Sequence, residues 1–147
     1  MRTIKLLSVL ILVALTSSFK PADYIDRLWA LRGTPYSELT CSDYIDRAKQ
    51  TDTDPAVGRC GAFGIWAGTC SHQRRVAEFD SLAAVDKSIL LPGDILAFHG
   101  DHVAVYAGEG TFLDSDWSHA NKGVDVMRPN GGNAAWFVGR VRIVRWK

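Results

Sequence analysis

Two consecutive hairpins near the middle of the chain constrain its fold more than any other sequence feature. Turn residues punctuate this region at Pro92-Gly93, His99-Gly100-Asp101 and Gly108-Glu109-Gly110. The segments between the turns are short and apolar, which predicts antiparallel strands over 95–98, 102–106 and 111–115. We therefore expect a sheet whose neighbouring strands follow one another along the chain.

Length and composition limit what this sheet can belong to. The chain has 147 residues, which suits a single domain. Its aromatic content of 10% excludes a disordered low-complexity chain. Lys and Arg number 17 against 16 Asp and Glu, for a formal net charge of +1, and no run of like charges stands out. This balance disfavours a nucleic-acid-binding protein, which usually carries a basic stripe.

The first 18 residues have the order of a secretory signal peptide. Arg2 and Lys5 precede the apolar run 6–15, and small polar residues follow it. The pattern predicts a signal peptide over 1–18 and a mature domain over 19–147, exported to the periplasm or secreted. The alternatives are an uncleaved anchor and a buried core helix. A bilayer span needs about 20 apolar residues, so we expect no integral membrane segment after processing.

Three cysteines in an exported chain leave one without a partner. Cys60 and Cys70 bracket a short Gly-rich insert, and an oxidising compartment favours a disulfide between them. The alternative is that both are small buried apolar residues. Cys41 remains as the free thiol.

Cys41 is placed by the sequence at the start of a helix. Thr40 and Asp43 fit the capping-box spacing, and Tyr44, Ile45 and Ala48 fall on one helical face. The positive end of the helix dipole favours an anion there, and therefore a thiolate. We expect a nucleophile at the surface; the alternative is an inert cysteine at a helix start.

A thiolate nucleophile needs a proton acceptor and donor, and histidine is the usual one near neutral pH. His102 begins the second predicted strand. If the second hairpin is centred on Gly108, Tyr106 faces Gly110 and His102 faces Asp114, which can fix the imidazole tautomer. Asp116, one diagonal step away, is the alternative orienting residue; it would lie opposite His102 if the turn were centred on Glu109. The pair could also be a plain cross-strand ion pair.

The remaining histidines are interpreted as surface residues. His99 lies in a turn, His72 follows the Gly-rich insert, and His119 lies in a polar loop. His99 and His102 do not form a metal motif with any second Cys/His pair, so we expect no metal. Asp94 is expected to cap its own turn.

Together these motifs resemble the NlpC/P60 family of papain-like cysteine peptidases, which act on bacterial cell-wall peptides. The matching segments are Gly33-Thr-Pro-Tyr36, Cys41-Ser42, Leu91-Pro-Gly-Asp94, and His102 to Gly110 with Phe112-Leu-Asp114. The resemblance implies an α+β, papain-like fold with N-terminal helices packed on a central antiparallel sheet. It also implies that Cys41, His102 and Asp114 are catalytic and that Tyr36 assists them.

The chain departs from the family pattern around the nucleophile. Tyr36 lies only five residues before Cys41, Thr40 stands where the family has Asp, and Asp43 stands where it has Gly. The family often has His at the position of Asp114. The related CHAP amidases, which also carry a Cys followed by His-Val-Ala, are an alternative branch.

We therefore expect an exported cysteine hydrolase that cleaves amide bonds in peptidoglycan stem peptides, as a monomer and without a cofactor. N–H groups at the helix start, that of Cys41 included, would hold the oxyanion. One alternative is a non-catalytic cell-wall binding module on the same fold. Another is a thiol acyltransferase, although many of those place the His before the Cys, and here Cys41 precedes His102.

Overall fold

The computed structural model describes residues 20–50, 59–130 and 134–147. The predicted signal peptide lies outside these ranges. The described elements are the helices α1 (Pro21–Ala30), α2 (Cys41–Lys49) and α3 (Ala62–Ala67), and the strands β1 (Gln73–Phe79), β2 (Ile95–Phe98), β3 (His102–Gly108), β4 (Thr111–Ser115), β5 (Val124–Val126) and β6 (Val141–Trp146). None of the described helices is long and apolar enough to cross a bilayer.

The strands form one six-stranded antiparallel sheet in the order β1-β6-β2-β3-β4-β5. The prediction of an α+β domain is confirmed at this level. The three predicted strands are present, and the second continues to Gly108. The C-terminal strand β6 enters the sheet between β1 and β2, so its neighbours lie far from it in sequence.

The predicted register of the β3–β4 hairpin is wrong. The structure pairs Tyr106 with Phe112, not with Gly110, and pairs Gly108 with Thr111. The connecting loop has two residues, Glu109 and Gly110, with φ angles of 51° and 76°, as a tight primed turn requires. The register also shifts by one residue between Tyr106 and Gly108. Our expectation of a turn centred on Gly108 is wrong because Gly108 still belongs to β3 and the loop follows it; the bulge then changes the pairing by one further residue.

Apolar residues cover both faces of the sheet. One cluster joins the helices to it, for example Tyr44 and Ile45 to Val103. A second cluster on the opposite face includes Phe98 and Phe137. Central strands are therefore buried on both sides, and all four residues of β2 are inaccessible to solvent. This explains why β2 has no polar alternation.

The predicted disulfide between Cys60 and Cys70 is confirmed, with their Cα atoms 6.0 Å apart. Cys41 is a free thiol. The bridge encloses α3, and the backbone N–H of Cys60 donates to Asp46 Oδ2 at 2.8 Å. Because Asp46 lies on α2, this hydrogen bond links the bridged loop to the helix that begins at Cys41.

Candidate active site

The thiol lies at the first residue of α2, as the capping pattern predicts. Thr40 is the N-cap, and its Oγ1 accepts the N–H of Asp43 at 3.4 Å while its hydroxyl donates to the Asp43 carboxylate at 2.7 Å. The helical hydrogen bonds start with the N–H of Tyr44, which donates to the carbonyl of Thr40. The earlier N–H groups of Cys41 and Ser42 therefore lie at the positive end of the helix without an intrahelical acceptor.

His102 and Asp114 form a buried ion pair. His102 Nε2 lies 2.7 Å from Asp114 Oδ2, and both side chains are fully inaccessible to solvent. In the observed register, extended along the strands, His102 lies across from Asp116 and diagonally from Asp114. Diagonal neighbours on one face remain within reach of long side chains. The predicted contact is thus present, although the register from which we inferred it is wrong.

The second nitrogen of His102 is available to the thiol. Nδ1 has no well-formed hydrogen bond to the described residues, and the side chain of Cys41 is close enough to interact with the ring. Burial by itself would lower the pKa of His102. The hydrogen bond with Asp114 and the interaction with Cys41 outweigh burial and raise that pKa to about 9. The site therefore stabilises an imidazolium, which is the form that pairs with a thiolate.

His119 is a site residue that the sequence interpretation missed. We expected a surface position, but His119 is only 6% exposed. Its Nε2 lies 3.1 Å from Asp114 Oδ1, and its Nδ1 lies 2.8 Å from the carbonyl oxygen of Gly123. The Asp114 carboxylate thus lies between two imidazoles, and the two rings hold its pKa below the usual range although burial would raise it. No local pattern around His119 signals this contact.

Tyr36 is brought to the site by backbone pairing. Its N–H donates to the carbonyl of Lys122 at 2.8 Å, and Gly33 donates to the carbonyl of Val124 at 2.9 Å. Tyr36 is partly buried; burial raises its pKa, and the nearby Cys41 and Asp116 raise it further. The predicted assisting residue is therefore close to the predicted nucleophile.

Asp116, the alternative orienting residue, has a different contact. It is buried, and its Oδ1 accepts the N–H of Ser118 at 2.7 Å. The structure assigns the ion pair with His102 to Asp114. The negative charge of Asp116 also acts on the site. Burial lowers the pKa of His119, Asp114 raises it strongly, and Asp116 raises it by a smaller amount.

The interpretations of His72, His99 and Asp94 hold. His72 and His99 are exposed. Asp94 caps its turn by accepting the N–H of Leu91 at 2.9 Å, and it also pairs with Arg145 at 2.6 Å.

The expectation of a surface thiol is wrong. Cys41 is 4% exposed. The helical periodicity explains this burial, since Cys41 occupies the same face as Tyr44, Ile45 and Ala48, which packs on the sheet. On the far side of the site Trp136 stacks on the imidazole of His102, with centroids 4.6 Å apart and planes at 27°.

A large cavity beside the sheet does not coincide with the thiol. A cavity of about 840 Å³ borders the second apolar cluster, where Phe112, Met127 and Phe137 line it. Neither Cys41, His102 nor Asp114 lines this cavity. Its position therefore gives no separate support for a substrate at Cys41.

One group of side chains has the spacing of metal ligands among the described residues. Asp114, Asp116 and His119 each place a ligand atom within 4.8 Å of the others, and all three are buried. A carboxylate–imidazole set of this kind can hold a divalent cation or a proton.

Comparisons with known proteins find no family model and no curated protein that match this chain.

Proposed function

We propose that this chain is an exported cysteine hydrolase, papain-like and of the NlpC/P60 type, that cleaves amide bonds in peptidoglycan stem peptides. One observation carries the proposal: a free thiol at a helix N-terminus interacts with a buried imidazole whose other nitrogen pairs with a carboxylate 2.7 Å away. Nucleophile, base and orienting group stand in the order that thiol catalysis needs. The substrate class comes from the sequence resemblance.

The mechanism follows from these positions. Cys41 Sγ attacks the amide carbonyl carbon, and the thiol proton resides on His102. Backbone N–H groups at the start of α2 face the developing oxyanion, and the hydroxyl of Tyr36 is a further donor. As the C–N bond breaks, His102 gives its proton to the leaving amine. His102 then takes a proton from water, whose oxygen attacks the thioester carbon; the C–S bond breaks, the acid is released, and the Cys41 thiolate is left beside the protonated His102.

A second function is favoured by the burial of the nucleophile. With Cys41 4% exposed, the protein could bind cell-wall peptides without cleaving them. Hydrolysis requires that groups around the thiol move by enough to admit a carbonyl. The two functions differ in one observable outcome, the appearance of new chain ends.

Purified peptidoglycan, incubated with the protein and examined by mass spectrometry for new termini, tests the proposal. We expect new amine and carboxyl ends with wild-type protein and none with Cys41→Ala or His102→Ala. His99→Ala, at an exposed histidine three residues away, is the matched control and should cleave normally. Co-sedimentation with peptidoglycan without new termini would favour the binding module. Unimpaired cleavage by Cys41→Ala would refute thiol catalysis.

A further inference from the structure

The environment of His119 constrains its protonation state. Its Nδ1 faces the carbonyl of Gly123 at 2.8 Å. A carbonyl oxygen can only accept, so Nδ1 must carry a hydrogen. In a neutral ring this leaves Nε2 as a lone pair, because neutral imidazole has one donor and one acceptor nitrogen.

That lone pair would point towards negative charge. Nε2 lies 3.1 Å from Asp114 Oδ1, and both groups are more than nine-tenths buried. The contact is not aligned as a good hydrogen bond, so charge rather than direction governs it. Two acceptors this close in a low-dielectric site repel each other. A second proton on His119 converts the repulsion into an ion pair.

We propose that His119 is held as an imidazolium and acts as a positioning residue that fixes the Asp114 carboxylate on His102. This inference rests on the proposed function and extends the triad to a chain from Cys41 through His102 and Asp114 to His119. Each oxygen of Asp114 then faces one ring, Oδ2 at 2.7 Å and Oδ1 at 3.1 Å. The carboxylate cannot rotate away from His102 without giving up the second ring.

The charged groups around His119 agree with a cationic ring. Three carboxylates act on it: Asp114 on β4, Asp116 beyond the end of that strand, and Asp125 on β5. His102 is the opposing cation, on the far side of Asp114. Burial alone would lower the pKa of His119, but Asp114, the Gly123 carbonyl and Asp116 outweigh it and raise that pKa. These groups therefore favour the imidazolium over the neutral ring, and the imidazolium is lost as the pH rises through the raised pKa.

A proton explains the contact better than a metal ion does. Nε2 and Oδ1 are already at ion-pair distance, so a proton needs no rearrangement. A cation would have to separate that pair, and it would compete for Asp116, whose Oδ1 already accepts the N–H of Ser118.

Nitrogen-15 NMR of histidine-labelled wild-type protein tests the protonation state without any assay of activity. His72 and His99 are exposed references in the same spectrum. At neutral pH we expect both ring nitrogens of His119 to be protonated. A neutral ring with a bare Nε2 would overturn the proposal. So would one equivalent of Zn²⁺ that binds the metal-free protein and displaces the Nε2 proton.

A pair of variants tests positioning. His119→Asn keeps a donor towards Gly123 but cannot reach Asp114, whereas His119→Gln is longer and can offer Asp114 a neutral donor. We expect kcat to fall about 10-fold to 100-fold in His119→Asn with KM little changed, because a buried ion pair is lost at a residue that does not touch substrate. His119→Gln should recover part of the loss, and the pH dependence of kcat should shift in both variants.

These results separate the two hypotheses. If wild-type protein cleaves no peptidoglycan while NMR shows the His119 imidazolium, the proposed function fails and the protonation state stands. If wild-type protein cleaves and both His119 variants keep its kcat and pH profile, the positioning role is refuted and the hydrolase stands. His72→Asn, at an exposed histidine, is the control and should leave both unchanged.

Discussion

Replacing Asp114 by Asn is expected to slow hydrolysis strongly while leaving the fold intact. The amide has the same size, so it fills the same buried space, and its oxygen can still accept from His102. It carries no charge, however, and its nitrogen faces His119. The change thus removes the electrostatic support of the imidazolium without opening a cavity.

The structure gives the size of the expected loss of activity. The rise of the His102 pKa from 6.5 to about 9 corresponds to about 3 kcal/mol in favour of the imidazolium. Cys41 contributes to this rise, so we assign about 2 kcal/mol to Asp114, or about 30-fold in kcat. Asp114→Ala should lose more activity and about 3–5 kcal/mol of stability, because it leaves two buried imidazoles without their counter-ion.

The assay is release of muropeptide termini over time, paired with the rate at which a small thiol reagent alkylates Cys41 across pH. Asp116→Asn is the matched comparison and should lose less activity, since an amide oxygen can still accept the N–H of Ser118 and the 2.7 Å ion pair with His102 is made by Asp114. The reasoning is refuted if Asp116→Asn loses activity and Asp114→Asn does not. Asp116 would then be the orienting residue.

Three further predictions concern stability. Replacing Cys60 and Cys70 together by Ser should lower the free energy of unfolding, measured by urea titration, by about 2–3 kcal/mol, the chain-entropy value for a loop of this length. Under reducing conditions the variant and the wild-type protein should unfold with the same free energy. Gly123→Ala should cost about 1–3 kcal/mol by urea titration, because its Cβ would overlap the carbonyl of Thr34; an unchanged midpoint would contradict this packing. The raised pKa of His102 stabilises the fold fully below about 6.5, and this contribution should disappear as the pH rises through about 9. Unfolding of a His102→Gln variant should lack that pH-dependent step.

Much of the site could be predicted from sequence because its signals are local. Turn residues and apolar runs placed β2 and β4 correctly, and the Thr40–Asp43 spacing placed the start of α2 at Cys41. These features depend on hydrogen bonds and side-chain periods within a few residues. The contact between His102 and Asp114 followed from the hairpin that joins them.

The hairpin register and the burial of Cys41 were both mispredicted. The hairpin loop is Glu109-Gly110 and is not centred on Gly108, and a bulge of one residue between Tyr106 and Gly108 shifts the pairing again. Nothing in the local sequence marks the bulge. The same helical face that signals α2 also turns Cys41 towards the core. Periodicity identifies a face, but what covers that face depends on the rest of the chain.

The sequence by itself determined the antiparallel hairpins, the helix that begins at Cys41 and the order of the candidate residues, because each depends on neighbours along the chain. Tertiary structure decided the rest. In the folded chain β6 lies between β1 and β2. The segment before α2 pairs with the segment that ends in β5, and this second segment carries His119 to its place beside Asp114. Those contacts join residues up to about ninety positions apart, and they form only when burial of both sheet faces outweighs the entropy of closing such loops.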